Sequence, residues 1–339
     1  MVRGNSDAKA KFKMLNIASL IKEIGRGAHG ARGLSHSDAT SLACALFAGE
    51  IPPAQIGAIL VALRMKGETL DEVSGFHAAA LPHCATLTAP AEGRLAVVIP
   101  SYNGARRNPN LVPLLALLLR SLGVTVLIHG LTEVPGRTTT AQIFAELELP
   151  VCASIQAAEI QLSTTRLAFV PLPVLSPALA DLLAWRAILG VRNVGHTVVK
   201  LLNPLGARGL SLVAMTHPPY LTLLREYYAA REDSVLLFRG AEGEPMASPT
   251  RVPDIDWFEQ GHHQVLNGIE RAASGDRTRP ALDAPTTAQF IGAALRDPTL
   301  IPHTLLEHLA RILIAAHAAP TLDDARAQIQ AQIARGLAA

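Results

Sequence analysis

The chain has 339 residues, 49% of them hydrophobic but only 4% aromatic, so it can bury a large core and is long enough for two domains. Its 30 basic and 28 acidic residues leave a net charge of +2, which excludes a polyanionic or polycationic chain but not a local patch. No apolar run approaches the ~20 residues that cross a bilayer, so no membrane partner is expected.

Residues 1–32 carry Arg3, Lys9, Lys11, Lys13, Lys22, Arg26 and Arg32 against Asp7 and Glu23, a local net charge of +5 that leaves −3 for the rest. This asymmetry points to an anionic partner, although a solvated tail would also carry it. The same segment lacks the apolar stretch of a signal peptide, which suggests a cytoplasmic protein. Cys44, Cys84 and Cys152 have no metal-ligand spacing and sit in apolar surroundings, as buried thiols in a reducing compartment would.

The first 90 residues read as helices. Ser35 or Ser37 caps one that runs to about Phe47, and Gly49 stops it. Pro52-Pro53 opens the next, with Ile56, Ile59, Leu60 and Leu63 at helical spacing, and Gly67 ends it. Thr69 with Glu72 forms a capping box for a third helix through Leu81. Beyond Leu95, short apolar runs (95–99, 125–129, 167–170, 210–215, 234–239) alternate with helical ones (111–122, 140–147, 155–162, 177–189, 220–230). Such alternation predicts an α/β domain with a mostly parallel sheet covered by helices on both faces. A polar Pro/Gly-rich stretch follows Gly240, and three further helices lie near 286–295, 303–318 and 322–333.

The segment from Ile99 to Asn110, Ile-Pro-Ser-Tyr-Asn-Gly-Ala-Arg-Arg-Asn-Pro-Asn, joins the first expected strand to a helix, where α/β enzymes often cradle phosphate. A phosphate cradle needs several glycines, so that N–H groups can turn inward without Cβ clashes. Here there is one glycine, with two prolines that cannot donate and the pair Arg106-Arg107. Arginine forks before a helix N-terminus suit a phosphate clamp; an exposed surface pair is the alternative. Arg192, His196, Lys200 and Arg208 read as a basic stripe near the interdomain hinge, or as solvated charges. Lys22, Arg26 and Arg32 recur with Gly25, Gly27, Gly30 and Gly33, which would let backbone approach a phosphate chain. His262-His263 and His303 with His308 lack partners at metal spacing, and Trp185 and Trp257 read as packing residues.

The helix pair from Ala48 to Thr69, Ala-Gly-Glu-Ile-Pro-Pro-Ala-Gln-Ile-Gly-Ala-Ile-Leu-Val-Ala-Leu-Arg-Met-Lys-Gly-Glu-Thr, resembles the N-terminal domain of anthranilate phosphoribosyltransferases and pyrimidine nucleoside phosphorylases. The likeness extends from about Leu15 to the end of the chain. It implies a small all-α N-terminal domain over residues 1–90, completed by a helix within 185–205 and used for homodimerisation. A larger α/β domain would span 91–339. The active-site motifs implied by the resemblance are degraded. The Gly-Thr-Gly-Gly-Asp loop falls on Pro100-Ser101-Tyr102-Asn103-Gly104, where Tyr102 would add bulk in the cradle. The Asn-x-Ser-Thr element keeps only Asn110, and Lys-His-Gly-Asn keeps only His129-Gly130. The acidic pair that recruits magnesium falls near Glu244-Pro245-Met246, with at most one carboxylate left, so magnesium is not expected. Arg186 matches a position near the aromatic acceptor and, without its cradle, reads as structural.

Within this superfamily the Ser101-Tyr102-Asn103-Gly104-Ala105-Arg106 string, with 21–27, 190–193, His196-Thr197 and Lys200, is similar to the YbiB-type branch. That likeness implies a homodimer that binds nucleic acid with little sequence specificity and has no catalytic residues or cofactor. The phosphate-binding set would be Lys22, Arg26, Arg32, Asn103, Gly104, Arg106, Arg107, Arg192, Lys200 and Arg208. A glycosyl- or phosphoribosyltransferase with an altered donor or acceptor site is the competing expectation.

Overall fold

The computed structural model describes residues 16–27, 29–90, 93–269 and 282–337, so Arg3, Lys9, Lys11 and Lys13 fall outside it. Four helices come first: α1 (Ile17–Ile24), α2 (His36–Phe47), α3 (Pro53–Lys66) and α4 (Leu70–Ala80). Ser35 caps α2, its Oγ accepting the Asp38 N–H at 3.2 Å. The Thr69–Glu72 capping box forms in both directions. Its Glu72 is fully buried and also accepts the Leu34 N–H at 2.9 Å and the Lys66 ammonium at 2.7 Å. One capping residue thus ties three segments of the helical layer together. Cys152 is buried, but Cys44 is exposed, contrary to expectation: its neighbours Leu42, Ala43 and Leu46 take the inner face of α2 and leave it outward.

The chain then alternates as β1 (Ala96–Ser101), α5 (Val112–Ser121), β2 (Val126–Gly130), α6 (Thr140–Glu146), α7 (Ile155–Thr164) and β3 (Leu167–Pro171). Next come α8 (Leu172–Leu175), α9 (Pro177–Leu189), α10 (Gly195–Val198), β4 (Gly209–Met215), α11 (Pro218–Ala229) and β5 (Val235–Arg239). A hairpin of β6 (Ile255–Glu259) and β7 (His262–Leu266) precedes α12 (Ala284–Arg296), α13 (His303–Ala315) and α14 (Leu322–Arg335). The sheet order is β3-β2-β1-β4-β5-β6-β7. The first five strands are parallel and the last two antiparallel. The hairpin lies in the stretch read as polar and irregular. Gln260 and Gly261 have φ of 49° and 76°, and positive φ at both central residues suits a two-residue type I′ hairpin.

Alternate residues of β1 point to opposite layers. Val97 and Ile99 pack among residues of α5, α12 and α13, whereas Ala96 and Val98 share a core with α7, α9 and the helical layer. Helices therefore cover both faces, which is why these strands read as continuous apolar runs. Because β1 sits between β2 and β4, the chain order reverses there, and the carboxyl ends of β1, β4 and β5 face one crevice. The loops after these strands are 102–111, 216–217 and 240–254.

Helices α2 and α4 cross closely at Gly75. A Cβ there would stand 2.8 Å from the Ala39 Cβ and 2.8 Å from the His36 carbonyl oxygen. Gly75→Ala is expected to destabilise the protein by about 1–3 kcal/mol through overpacking, read as a lower denaturation midpoint. An unchanged midpoint would show that the two helices part at no cost.

Candidate functional site

The loop after β1 folds around two anions, and both are supplied by the protein itself. Glu244 is fully buried. Its Oε1 accepts the backbone N–H groups of Asn103 and Gly104, each at 2.7 Å, and its Oε2 accepts the Ser101 hydroxyl at 2.6 Å. Gly104 has φ of 60°, and a Cβ there would meet the Thr138 carbonyl oxygen at 3.0 Å, so the lone glycine of the loop is the residue this turn requires. Two residues earlier, Glu242 accepts the N–H groups of Arg107 at 2.8 Å and Asn108 at 2.9 Å through Oε1, and that of Arg106 at 3.2 Å through Oε2. Both carboxylates come from the tight turn 241–244, whose central residues Glu242 and Gly243 have φ of 54° and 86°.

Lys200 locks that turn in place. It was expected on an exposed basic stripe, but it is buried, and its ammonium donates to the carbonyls of Ala214 and Gly243, each at 2.7 Å. Burial pulls its pKa down to about 8, with the charge of Glu244 partly offsetting the shift. Asn103 is buried as well and gives its side-chain N–H to the Gly243 carbonyl at 2.8 Å, and Gly104 has its N–H on Glu244. Asn103, Gly104 and Lys200 are therefore buried with these donors turned onto the 241–244 turn, away from a phosphate chain at the surface. Tyr102 does not fill the cradle either. It is buried beneath the loop, its hydroxyl 2.7 Å from Nδ1 of His129, whose pKa burial lowers to about 3.

Arg106 and Arg107 remain exposed, with their backbone N–H groups on Glu242. Arg137, whose guanidinium donates to the Gly104 carbonyl at 2.9 Å, stands 3.6 Å from Glu242 and in the field of Arg106. Arg192 is half-buried, and burial, then Arg186, Arg137 and Arg64, push it down to about 10. Arginines thus crowd the mouth of the crevice. Arg64, Arg137 and Glu242 escape a reading of the sequence because they lie on three separated segments. The signal available was Glu242-Gly243-Glu244, two acids about a turn glycine just after a strand.

The remaining basic residues are placed apart. Arg208 was expected beside Lys200, but it precedes the amino end of β4 and donates to the Ala89 carbonyl at 3.2 Å. Lys200 meets the carboxyl end of that seven-residue strand, roughly 20 Å along it. Lys22 is exposed on α1, whereas Arg26 and Arg32 both lean on Glu23, at 3.0 and 3.8 Å, which discounts the local charge.

Between the helical layer and the sheet, Arg64, Glu68, Arg192, His196, His217 and Tyr220 line a cleft of about 60 Å³, too small for a sugar phosphate. Among the described residues no group of three or more His, Cys, Asp or Glu is placed to hold a metal ion. The residues present do not fit magnesium, since both oxygens of Glu244 are committed to the loop.

Lys200 gives the site a pH signature. Between its folded value near 8 and the ordinary 10.5, the unfolded chain keeps a proton that the folded one has lost, so raising pH across that window favours the fold. The stability of the wild type relative to Lys200→Met should therefore rise by up to about 3 kcal/mol from pH 7 to pH 10.5 in chemical denaturation. A gap that ignores pH would contradict the buried charge.

Residues 18–84 match the model of the glycosyl transferase family helical bundle domain. Over 316 residues the chain is 36% identical to the protein YbiB of Escherichia coli (strain K12), covering 93% of this chain and 99% of YbiB. It is 26% identical over 311 residues to the anthranilate phosphoribosyltransferase of Methylocella silvestris, covering 89% and 88% of the two chains. The crystal structure of anthranilate phosphoribosyltransferase from Thermus thermophilus superposes with a TM-score of 0.73 at 22% identity, covering 94% of this chain and 95% of that one. The Saccharomyces cerevisiae enzyme in complex with PRPP and Mg gives 0.68 at 15% identity, covering 95% and 94%. Fold and sequence agree, and the chain belongs with YbiB in the anthranilate phosphoribosyltransferase-like glycosyltransferase superfamily.

Proposed function

We propose that this protein is a homodimeric nucleic-acid-binding protein with little sequence specificity, built on a phosphoribosyltransferase scaffold that no longer transfers. The occupation of the inner turn of the loop after β1 by Glu244 carries the reading. A pyrophosphate donor seated there would call on the Asn103 and Gly104 N–H groups with a magnesium ion beside them, and here those donors hold a fully buried carboxylate instead. What stays outside is positive: Arg106 and Arg107 at the lip, with Arg64, Arg137 and Arg192 behind them. Arginine forks of this kind hold phosphates without reading bases.

Further features support the reading. With aromatics at 4% there is little for bases to stack on, so affinity would come from the backbone charge and fall with salt. Val61 and Met65 on α3, Ile188 on α9 and the following Val191 leave exposed apolar area on the helical layer, which suits a second copy of the chain. A dimer would set two arginine lips on one particle and strengthen the field that a polyanion meets.

Fluorescence anisotropy with single- and double-stranded oligonucleotides at about 50 and 200 mM salt tests this. Binding should weaken steeply with salt. The double variant Arg106→Ala/Arg107→Ala should lower both the affinity and the slope of log K against log salt, by about 0.7–0.9 for each phosphate that the arginines no longer reach. An affinity weaker than ~10⁻⁴ M at low salt would refute nucleic-acid binding. Turnover of phosphoribosyl pyrophosphate with magnesium and an aromatic amine would favour the transferase reading instead.

A further inference from the structure

Three consecutive backbone N–H groups, those of Arg106, Arg107 and Asn108, converge on one carboxylate, Glu242. The Asn108 side-chain amide joins them at 3.3 Å, and the Arg137 guanidinium lies 3.6 Å away. Successive N–H groups turned to one point form a nest for an anion, and a phosphate oxygen makes the same demands on it as a carboxylate oxygen. This nest is separate from the Asn103-Gly104 turn, whose donors hold the fully buried Glu244. It is also the outer of the two, since Arg106 and Arg107 are exposed and open to an arriving polyanion.

Glu242 is held at a cost. Its φ of 54° lies in the left-handed region that disfavours a residue with a Cβ. The partners that hold it there are the nest and Arg137. Two arginines beside the nest, Arg106 and Arg107, have no side-chain ion pair among the described residues.

We propose that Glu242 is an internal stand-in for phosphate. The nest of Arg106, Arg107 and Asn108 is a phosphate-binding site that Glu242 fills in the free protein and yields to a phosphate of a bound ligand. The inference rests on the nucleic-acid reading for its natural ligand but not for its chemistry, because inorganic pyrophosphate would use the same donors. Removing the carboxylate removes a competitor and leaves the donors in place, so affinity should rise rather than fall.

The test compares the wild type with Glu242→Gln, Glu242→Gly and Glu133→Gln, all as full-length protein. Glycine suits the positive φ at 242, so Glu242→Gly keeps the turn if the amide variant disturbs it. Glu133 is an exposed carboxylate of the neighbouring 132–140 loop and controls for a general change of charge. Both Glu242 variants should bind a labelled oligonucleotide roughly tenfold more tightly than the wild type, with the salt slope steeper by about one phosphate, while Glu133→Gln stays within about twofold. Equal gains in Glu133→Gln, or no gain at Glu242, would overturn the inference and leave the nucleic-acid reading standing. If no form binds oligonucleotide, that reading fails, and calorimetric titration with inorganic pyrophosphate decides. Binding gained in Glu242→Gly over wild type supports the nest, and no gain overturns it.

Discussion

A loop of inward-turned backbone N–H groups cannot be left without an anion, and that requirement organises the crevice of this protein. Each buried donor without a partner costs about 1–3 kcal/mol, which applies to the Asn103 and Gly104 N–H groups on Glu244, while the outer N–H groups of Arg106, Arg107 and Asn108 are gathered on Glu242. The two carboxylates arrive on one tight turn, and Lys200 pins the turn by the carbonyl of Gly243. Ser101, Asn103 and Gly104 at one end and Ala214 at the other become a single hydrogen-bonded unit. The crevice at the sheet's switch point is where an open α/β fold meets ligands, so an internal pair of anions there changes what the fold can do.

The charge balance follows from that unit. Two acids are consumed inside the loops, and the arginines around them are left facing out. Burial lowers the pKa values of Lys200 and Arg192, and the neighbouring arginines lower that of Arg192 further, which marks how closely basic groups crowd this opening. The helical layer contributes Arg64 and Arg192 to the same opening. The cleft of about 60 Å³ that they line is too small for a sugar phosphate.

The parallel half of the sheet and the caps of the helices were legible in the sequence because local rules set them. Ser35, the Thr69–Glu72 box, Pro53 and Gly67 act within a turn of where they stand, and five buried strands announce themselves by apolar runs. The β6–β7 hairpin was not legible, since Asp256 and the exposed β7 dilute its alternation and its turn depends on Gln260 taking a positive φ. The site was legible only at its location. Loss of the cradle glycines was plain, but what replaced the phosphate was not. Glu244 bonds to residues some 140 positions away, and nothing local distinguishes an acid that holds a metal from one that holds backbone. Lys200 misled for the same reason: a lysine reads as surface unless its two carbonyl partners are known.

The turn 241–244 also sets which residues evolution can touch. Replacing an exposed arginine at the lip removes an interaction that a neighbouring arginine can share. Replacing Glu244 strands two buried backbone donors at once, and Gly243, where a Cβ would stand 2.4 Å from the Asn103 amide, leaves no space to readjust. In a lineage that binds polyanions, the least variable side chain of the crevice should then be Glu244 rather than any of its arginines. An inventory of basic residues would overlook the buried acid on which the shape of the crevice rests.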